Sequence, residues 1–292
     1  MSDQVHKNIQ QIWQQTNKKL RLYEGEPTAS MSAAEITRLS WARQVKSYEE
    51  LPSHYRDHFT RSGFDPSKFP YSVLTPTLEG FLRREKEKLT YLRDGSITIL
   101  EKSSRQSIET AYRLADINHV EVGQVLLKAW LRLEGIDQTG QLTHSSVRYN
   151  AVNQALFQPF LDQLRCPSTP AEPANLEIER SKFKILQTIN FKFMNFGRRS
   201  ILPGEEVQSF IFQPEQRSPR LKIANRGWLS KSLIFAHLMI LTDHELILVR
   251  DDPESERMHE SFHYGGIWNY IPLRKVQRTS VVLQQNGLVT LV

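Results

Sequence analysis

The stretch Val125-Leu126-Leu127-Lys128-Ala129-Trp130-Leu131-Arg132-Leu133 decides the fold class. Leu127, Ala129, Leu131 and Leu133 fall on one side of it, and Lys128, Trp130 and Arg132 on the other. A period of two marks a half-buried antiparallel strand. Upstream, short strand-like runs alternate with turn signals: Leu78–Arg84, Leu89–Arg93, Ile97–Glu101, Ile108–Leu114 and Ile117–Val122. The charged run Glu85-Lys86-Glu87-Lys88 separates the first two. Asp94-Gly95 is a strong hairpin dipeptide. Downstream, Gly135 to Gly140 reads as a turn and Ser146–Tyr149 as one more strand. From Ala151 the period becomes helical. Val152, Ala155, Leu156, Phe160 and Leu164 form a stripe that ends at Arg165. Residues 71–166 therefore predict roughly seven strands followed by one helix.

On the N-terminal side, residues 1–70 predict a helical arm. Val5, Ile9, Trp13, Thr16 and Leu20 share a stripe, and Glu24-Gly25-Glu26-Pro27 breaks it. Ser32 and Glu35 have capping-box spacing for a second helix to about Lys46. Leu51 to Pro70 reads as a packed loop. On the C-terminal side, residues 167–175 form a Pro-rich linker. Residues 176–200 predict a helix with Phe183, Leu186, Ile189, Phe193 and Phe196 on one broad face. Either Gly197 or Leu202-Pro203-Gly204 stops it. Strand patterns then return. His237–Leu241 and Glu245–Arg250 flank the turn Thr242-Asp243-His244. Ile267–Ile271 follows Gly265-Gly266, and Val276–Leu283 and Leu288–Val292 flank Gln285-Asn286-Gly287. The expected class is α+β. It comprises two mainly antiparallel β-sandwich or partly open barrel modules, 71–166 and 176–292, after the arm.

Composition narrows the chemistry. In 292 residues, 39% hydrophobic and 24% charged content is ordinary globular usage and excludes wholesale disorder. A lone cysteine, Cys166, excludes an internal disulfide framework and multi-cysteine metal sites. At a helix C-terminus its thiol is a poor nucleophile. No apolar run reaches the ~18–20 residues of a membrane span. The N-terminus has no apolar signal region, so the expectation is a cytoplasmic protein, at most peripheral to a membrane. Nucleotide-binding glycine loops and the Gly-x-Ser-x-Gly elbow are absent from the sequence.

Two stretches resemble bacterial pleckstrin-homology-like (PH-like) domains. The first rests on Ala111-Tyr112-Arg113-Leu114-Ala115-Asp116-Ile117 and Val120-Glu121-Val122-Gly123. The second rests on His237-Leu238-Met239-Ile240-Leu241-Thr242-Asp243-His244-Glu245-Leu246-Ile247-Leu248 and Tyr270-Ile271-Pro272-Leu273-Arg274-Lys275-Val276. A closing helix follows the first copy and not the second. The resemblance implies tandem sandwiches or partly open barrels of two antiparallel sheets. It also implies a binding or scaffolding role without catalysis, toward a protein partner or an anionic membrane surface, with no cofactor.

Candidate residues follow from charge and spacing. Between Arg180 and Lys231 there are eleven Lys/Arg against three Asp/Glu, more than the net +6 of the whole chain. Arg198 and Arg199 end a Phe-rich amphipathic helix. Arg220, Lys222, Arg226 and Lys231 surround Trp228. Cations beside exposed aromatics suit an anionic membrane. The simpler expectation is that Phe183, Phe193 and Phe196 pack inward while the lysines face water. Arg83 and Arg84 flank the first hairpin, where PH domains often hold phosphate headgroups. Trp130 is expected in edge-on core packing, with an outward interface role as the alternative. Nucleic acid is not expected, because the rest of the chain is near neutral and shows no recognition motif. The competing enzymatic reading is a zinc hydrolase using His259-Glu260-Ser261-Phe262-His263. Histidines four apart share a helix face, and the glutamate would activate a water. No third ligand follows, since Asn269 stands where one belongs. The simpler reading is a surface connection. His54 and His58 share the same spacing without further ligand signals.

Overall fold

The computed structural model describes residues 41–79, 84–103, 107–165, 176–217, 221–222, 228–229, 232–251, 265–283 and 289–291. The strands, in chain order, are β1 (Arg43–Val45), β2 (Ser72–Thr75), β3 (Leu78–Glu79), β4 (Arg84–Glu85), β5 (Lys88–Arg93), β6 (Ser96–Glu101), β7 (Ile108–Val125), β8 (Lys128–Asp137), β9 (Leu142–Asn150) and β10 (Val207–Gln213). Then come β11 (Gln216–Arg217), β12 (Leu221–Lys222), β13 (Trp228–Leu229), β14 (Ser232–Ile234), β15 (His237–Thr242), β16 (Glu245–Arg250), β17 (Gly266–Pro272), β18 (Val281–Leu283) and β19 (Val289–Leu291). The α-helices are α1 (Ser53–Arg61), α2 (Gln158–Arg165), α3 (Leu176–Ser181) and α4 (Phe191–Ser200). The structural account below concerns the unit from Ala42 onward.

The class is α+β, and the main sheet is antiparallel and open. Its strand order is β1-β2-β5-β6-β7-β17-β16-β15-β10, with β8 and β9 extending from β7. β7 is the pivot. Ile108–Arg113 pairs with β6, and the part from Ile117 onward pairs with β8. The register shifts between Tyr112 and Ile117, and such a bulge bends a strand and sharpens its twist. Two predicted strands, Ile108–Leu114 and Ile117–Val122, are thus one bent strand. Gly135 makes room for the bend, because a Cβ there would stand 2.6 Å from the Asp116 carbonyl oxygen. The far edge of the bent half, Val120–Gln124, pairs with Gly266–Tyr270. The pairing therefore runs without a break from residues 71–166 into residues 176–292.

Alternation places the core. Val120, Val122, Ala129, Leu131, Leu133, Val147, Leu238, Ile240, Ile247, Val249, Trp268 and Tyr270 point to one face of β9-β8-β7-β17-β16-β15-β10 and are buried. Phe157, Phe160, Leu161 and Leu164 from around α2 cover that face. Phe183, Leu186, Phe193 and Met194 cover it from residues 176–200. Tyr149 stacks on Phe157 at 3.7 Å. Each such side chain removed from water contributes about 1.5–3 kcal/mol. A second core lies on the opposite face of the first strands. There Val45, Leu74, Leu89, Tyr91 and Leu100 pack with Tyr55 and Phe59 of α1.

Three expectations change, and a fourth resolves between its two alternatives. The helix predicted to reach Lys46 gives way to β1, because Val45 fills the second core while Arg43–Val45 extends the sheet edge along β2. The packed loop over 51–70 contains α1, which buries Tyr55 and Phe59. The continuous helix over 176–200 is instead α3, a 3-10 turn over Lys182–Leu186 and then α4, which Asn190 caps through Phe193 N. Of the two stop signals, Leu202-Pro203-Gly204 follows the end of α4 at Ser200, while Gly197 sits inside α4, where a Cβ would lie 2.6 Å from Phe183 Cδ1. Gly197→Ala should therefore destabilise the fold by about 1–3 kcal/mol through overpacking, despite alanine's higher helix propensity. Urea unfolding measures this, and a neutral or stabilising result would refute the tight packing. The first part of the arm predicted over residues 1–70, residues 1–40, lies outside the described residues.

Candidate functional site

The antiparallel register gathers several connections at one end of the sheet. Gln213 pairs with His237, His237 with Arg250, Arg250 with Ile267, Gly266 with Gln124, Val125 with Lys128, and Lys128 with Asn150. The β7–β8 turn therefore opens at this end. So do the 3-10 turn over Ala151–Phe157 and the β10–β15 connection. The start of α4 lies here too, because Lys192 Nζ pairs with Asp251 just beyond β16.

That end is apolar where turns are normally polar. Leu126 and Leu127 alone join β7 to β8, and they are 57% and 63% exposed. Leu126 holds φ at 53°, the left-handed region that favours glycine. Ala151 N donates to Leu127 O at 2.9 Å, which sets Val152 beside the tip. Val152, Ile189 and Phe191 are 61%, 63% and 61% exposed. Lys128 is exposed, and among the described residues it is not ion-paired. The β10–β15 connection, residues 214–236, carries five Lys/Arg against one Glu.

Periodicity assigns three of these apolar residues elsewhere. Leu127 was expected on the buried side of β8, Val152 on the α2 stripe and Ile189 on the covered face of 176–200. Leu127 lies in the turn, one residue before β8 begins. Val152 belongs to a 3-10 turn and Ile189 to the break before α4, so neither follows the α-helical period. Two leucines at a turn with no Gly, Asn or Asp were the available signal.

The outer face of the sheet holds a saturated polar network. Glu121 is buried and accepts from Trp130 Nε1 and Arg132 Nη1, each at 2.8 Å, with Arg250 Nη2 at 3.4 Å. Trp130 shares this face with Lys128 and Arg132 and crosses Gly123, where a Cβ would stand 2.0 Å from its ring. The core-packing expectation for Trp130 is thereby corrected, because even spacing from Lys128 puts it on the outer side.

The opposite end holds a buried charge cluster. Arg165 at the end of α2 pairs with Glu245 of β16, donates to Ser200 O at the end of α4, and lies 3.8 Å over the Tyr270 ring. Glu205 Oε1 is 3.6 Å from Arg165 Nη2, and Leu202 N donates to Glu205 Oε2 at 2.8 Å. Burial, and then the neighbouring Glu245 carboxylate, push the Glu205 carboxyl up to about 8. By joining the ends of α2 and α4 to β16 and β17, the cluster acts as a latch between two helix ends and the sheet.

The predicted site residues divide among different places. Arg198 and Arg199 end α4 at the latch end, where cations suit the helix dipole. Arg198 lies 3.6 Å from Glu177. They are thus apart from the end where the β10–β15 connection leaves. Lys222 stands opposite Trp228 in the β12–β13 pair, and Arg84 opposite Glu79 in the β3–β4 pair. Arg83, Arg220, Arg226 and Lys231 lie outside the described residues, as do Cys166, His259, Glu260 and His263. His54 bonds Glu87 at 2.8 Å. His58 sits 3.4 Å from Tyr91 Oη, and burial holds its pKa below the usual histidine value. Among the described residues no His/Cys/Asp/Glu group has the geometry to hold a metal, and no helix is long and apolar enough to cross a membrane. No protein family, curated protein or solved structure matches the chain.

Proposed function

We propose that the chain is a non-enzymatic binding module with two PH-like halves, and that it engages an anionic membrane surface with its Leu126 end. The carrying observation is the exposed pair Leu126-Leu127 on a two-residue hairpin tip, with Val152, Ile189 and Phe191 exposed at the same end. Separate apolar protrusions suit insertion among lipid headgroups better than a flat protein contact. Lys128 and the basic β10–β15 connection supply the attraction, at about 1 kcal/mol per cation near an anionic leaflet. Two features support the PH-like reading of the first half. The strands β2, β5, β6 and the first part of β7 form an antiparallel meander. The bent part of β7 then continues into β8 and β9, and α2 closes the module. In the second half β10, β15, β16 and β17 supply a comparable meander.

Co-sedimentation tests the proposal. The full chain should pellet with phosphatidylserine-containing vesicles at low salt, less at moderate salt, and little with pure phosphatidylcholine vesicles. Equal behaviour on both vesicle types, or none on either, would overturn the reading.

A further inference from the structure

At the latch end, on the outer face of the sheet, an open cleft of about 790 Å³ lies between β7, β8 and the chain after β17. Asn118, His119, Glu134 and Ile271 form one side. Arg274, Lys275, Val276, Gln277 and Arg278 form the other. The second side is fixed by its backbone. Leu273 N donates to His244 O at 2.8 Å, and Val276 N donates to Leu273 O at 3.0 Å. His119 is steadied by Asn269, whose Oδ1 lies 2.9 Å from His119 Nε2.

Charge indicates what the cleft takes. Arg274, Lys275 and Arg278 fall within five consecutive positions, and among the described residues none of them is ion-paired. Several cations elsewhere in the chain are neutralised. Lys86 and Lys88 pair with Glu101, and Arg93 with Asp94. Three unpaired cations held on one wall repel one another, and a multivalent anion removes that repulsion. A single carboxylate would satisfy one guanidinium. A phosphate or diphosphate group matches the charge of all three and offers enough acceptor oxygens for two arginine forks. Asn118 and Gln277 add neutral donors, and Ile271 and Val276 give apolar area for the rest of a small ligand.

We propose that this cleft binds a phosphate-bearing small molecule, soluble rather than lipid-borne. The second part rests on position. The stretch of β7 from Ile117 to Val125, at about 3.3 Å per residue, puts the cleft roughly 25–30 Å from the Leu126 tip. One flat bilayer could not meet both. Glu134 is the acidic group in the lining and opposes an anion.

Calorimetric titration of the full chain with sodium pyrophosphate at low salt tests this. Saturable one-to-one binding is expected. Arg274→Gln with Arg278→Gln should weaken it at least tenfold, and Glu134→Gln should tighten it severalfold. Arg274, Arg278 and Glu134 are all exposed, so the fold should tolerate the changes. The absence of saturable binding, or an unchanged affinity in the double variant, would overturn the site. A second arm separates the sources. Saturating pyrophosphate should leave the chain bound to phosphatidylserine-containing vesicles. Displacement would overturn the soluble-ligand assignment and mark the cleft as the lipid contact. If the chain binds no vesicles at all, the titration still stands alone, so the two proposals fail separately.

Discussion

Arg165→Ala should destabilise the protein by about 3–5 kcal/mol, the typical cost of removing one partner from a buried ion pair. The side chain is 6% exposed and meets Glu245, Glu205, Ser200 O and the Tyr270 ring. Its loss leaves two adjacent carboxyl groups with no cation and one carbonyl without its donor. Urea unfolding measures the change, and adding Glu245→Gln to Arg165→Ala should recover part of it. A loss below about 1 kcal/mol would show that water reaches the cluster and that it is no latch. The same cluster sets a pH dependence with a definite sign. The Glu205 carboxyl is raised in the folded chain to about 8, well above the ordinary glutamate value near 4.5. The native state therefore keeps a proton that the unfolded chain releases. Its contribution is complete below about pH 4.5 and is lost as pH rises toward about 8, by at most about 1.4 kcal/mol per pH unit. Glu205→Gln removes this term. The stability of the variant relative to the parent should therefore climb across that window and level off above it. A constant difference from pH 5 to pH 8.5 would place the Glu205 pKa near its ordinary value.

The strands of the sheet were legible because their burial is one-sided. Ala129, Leu131 and Leu133 alternate with Trp130 and Arg132 and lie as alternation requires. Leu238, Ile240, Ile247 and Val249 do the same around Thr242-Asp243-His244. Pairing across distance was not legible. Nothing near Val120 or Trp268 announces that they become neighbours, and β1 is a strand only because β2 offers it an edge. The bend in β7 hid behind Ala115-Asp116, which interrupts an apolar pattern as a turn would. Gly197 reads as a helix stop in sequence, but its role is close packing against Phe183, which no local pattern reveals. The latch was invisible for a related reason, since Arg165 and Glu245 stand 80 residues apart with no motif between them. The Leu126-Leu127 tip was hidden by its own alternation, because Leu127 continues the in-facing series of β8 by one residue past its end.

Vesicle binding should fall about 30- to 100-fold in Leu126→Ser with Leu127→Ser. Full burial of a leucine contributes about 1.5–3 kcal/mol, and partial insertion of two such side chains retains about 2–3 kcal/mol in total. At 1.4 kcal/mol per tenfold this gives the stated range. Lys128→Gln should cost about fivefold on phosphatidylserine-containing vesicles, at about 1 kcal/mol per cation, and almost nothing at high salt. Arg198→Gln with Arg199→Gln, at the opposite end, should leave vesicle binding unchanged. If that pair instead carries the binding, the α4 C-terminus is the membrane face and the Leu126 assignment fails. Leu126→Gly separates surface from fold by the signs of its effects. Its backbone sits at φ 53°, where a leucine costs about 1–2 kcal/mol that a glycine does not. The variant should therefore unfold at higher urea while binding vesicles more weakly. Stability and binding moving in opposite directions would mean that the chain holds an apolar side chain at a strained turn, as a membrane-inserting tip requires. If both fell together, Leu126 would be part of the packing and not a tip.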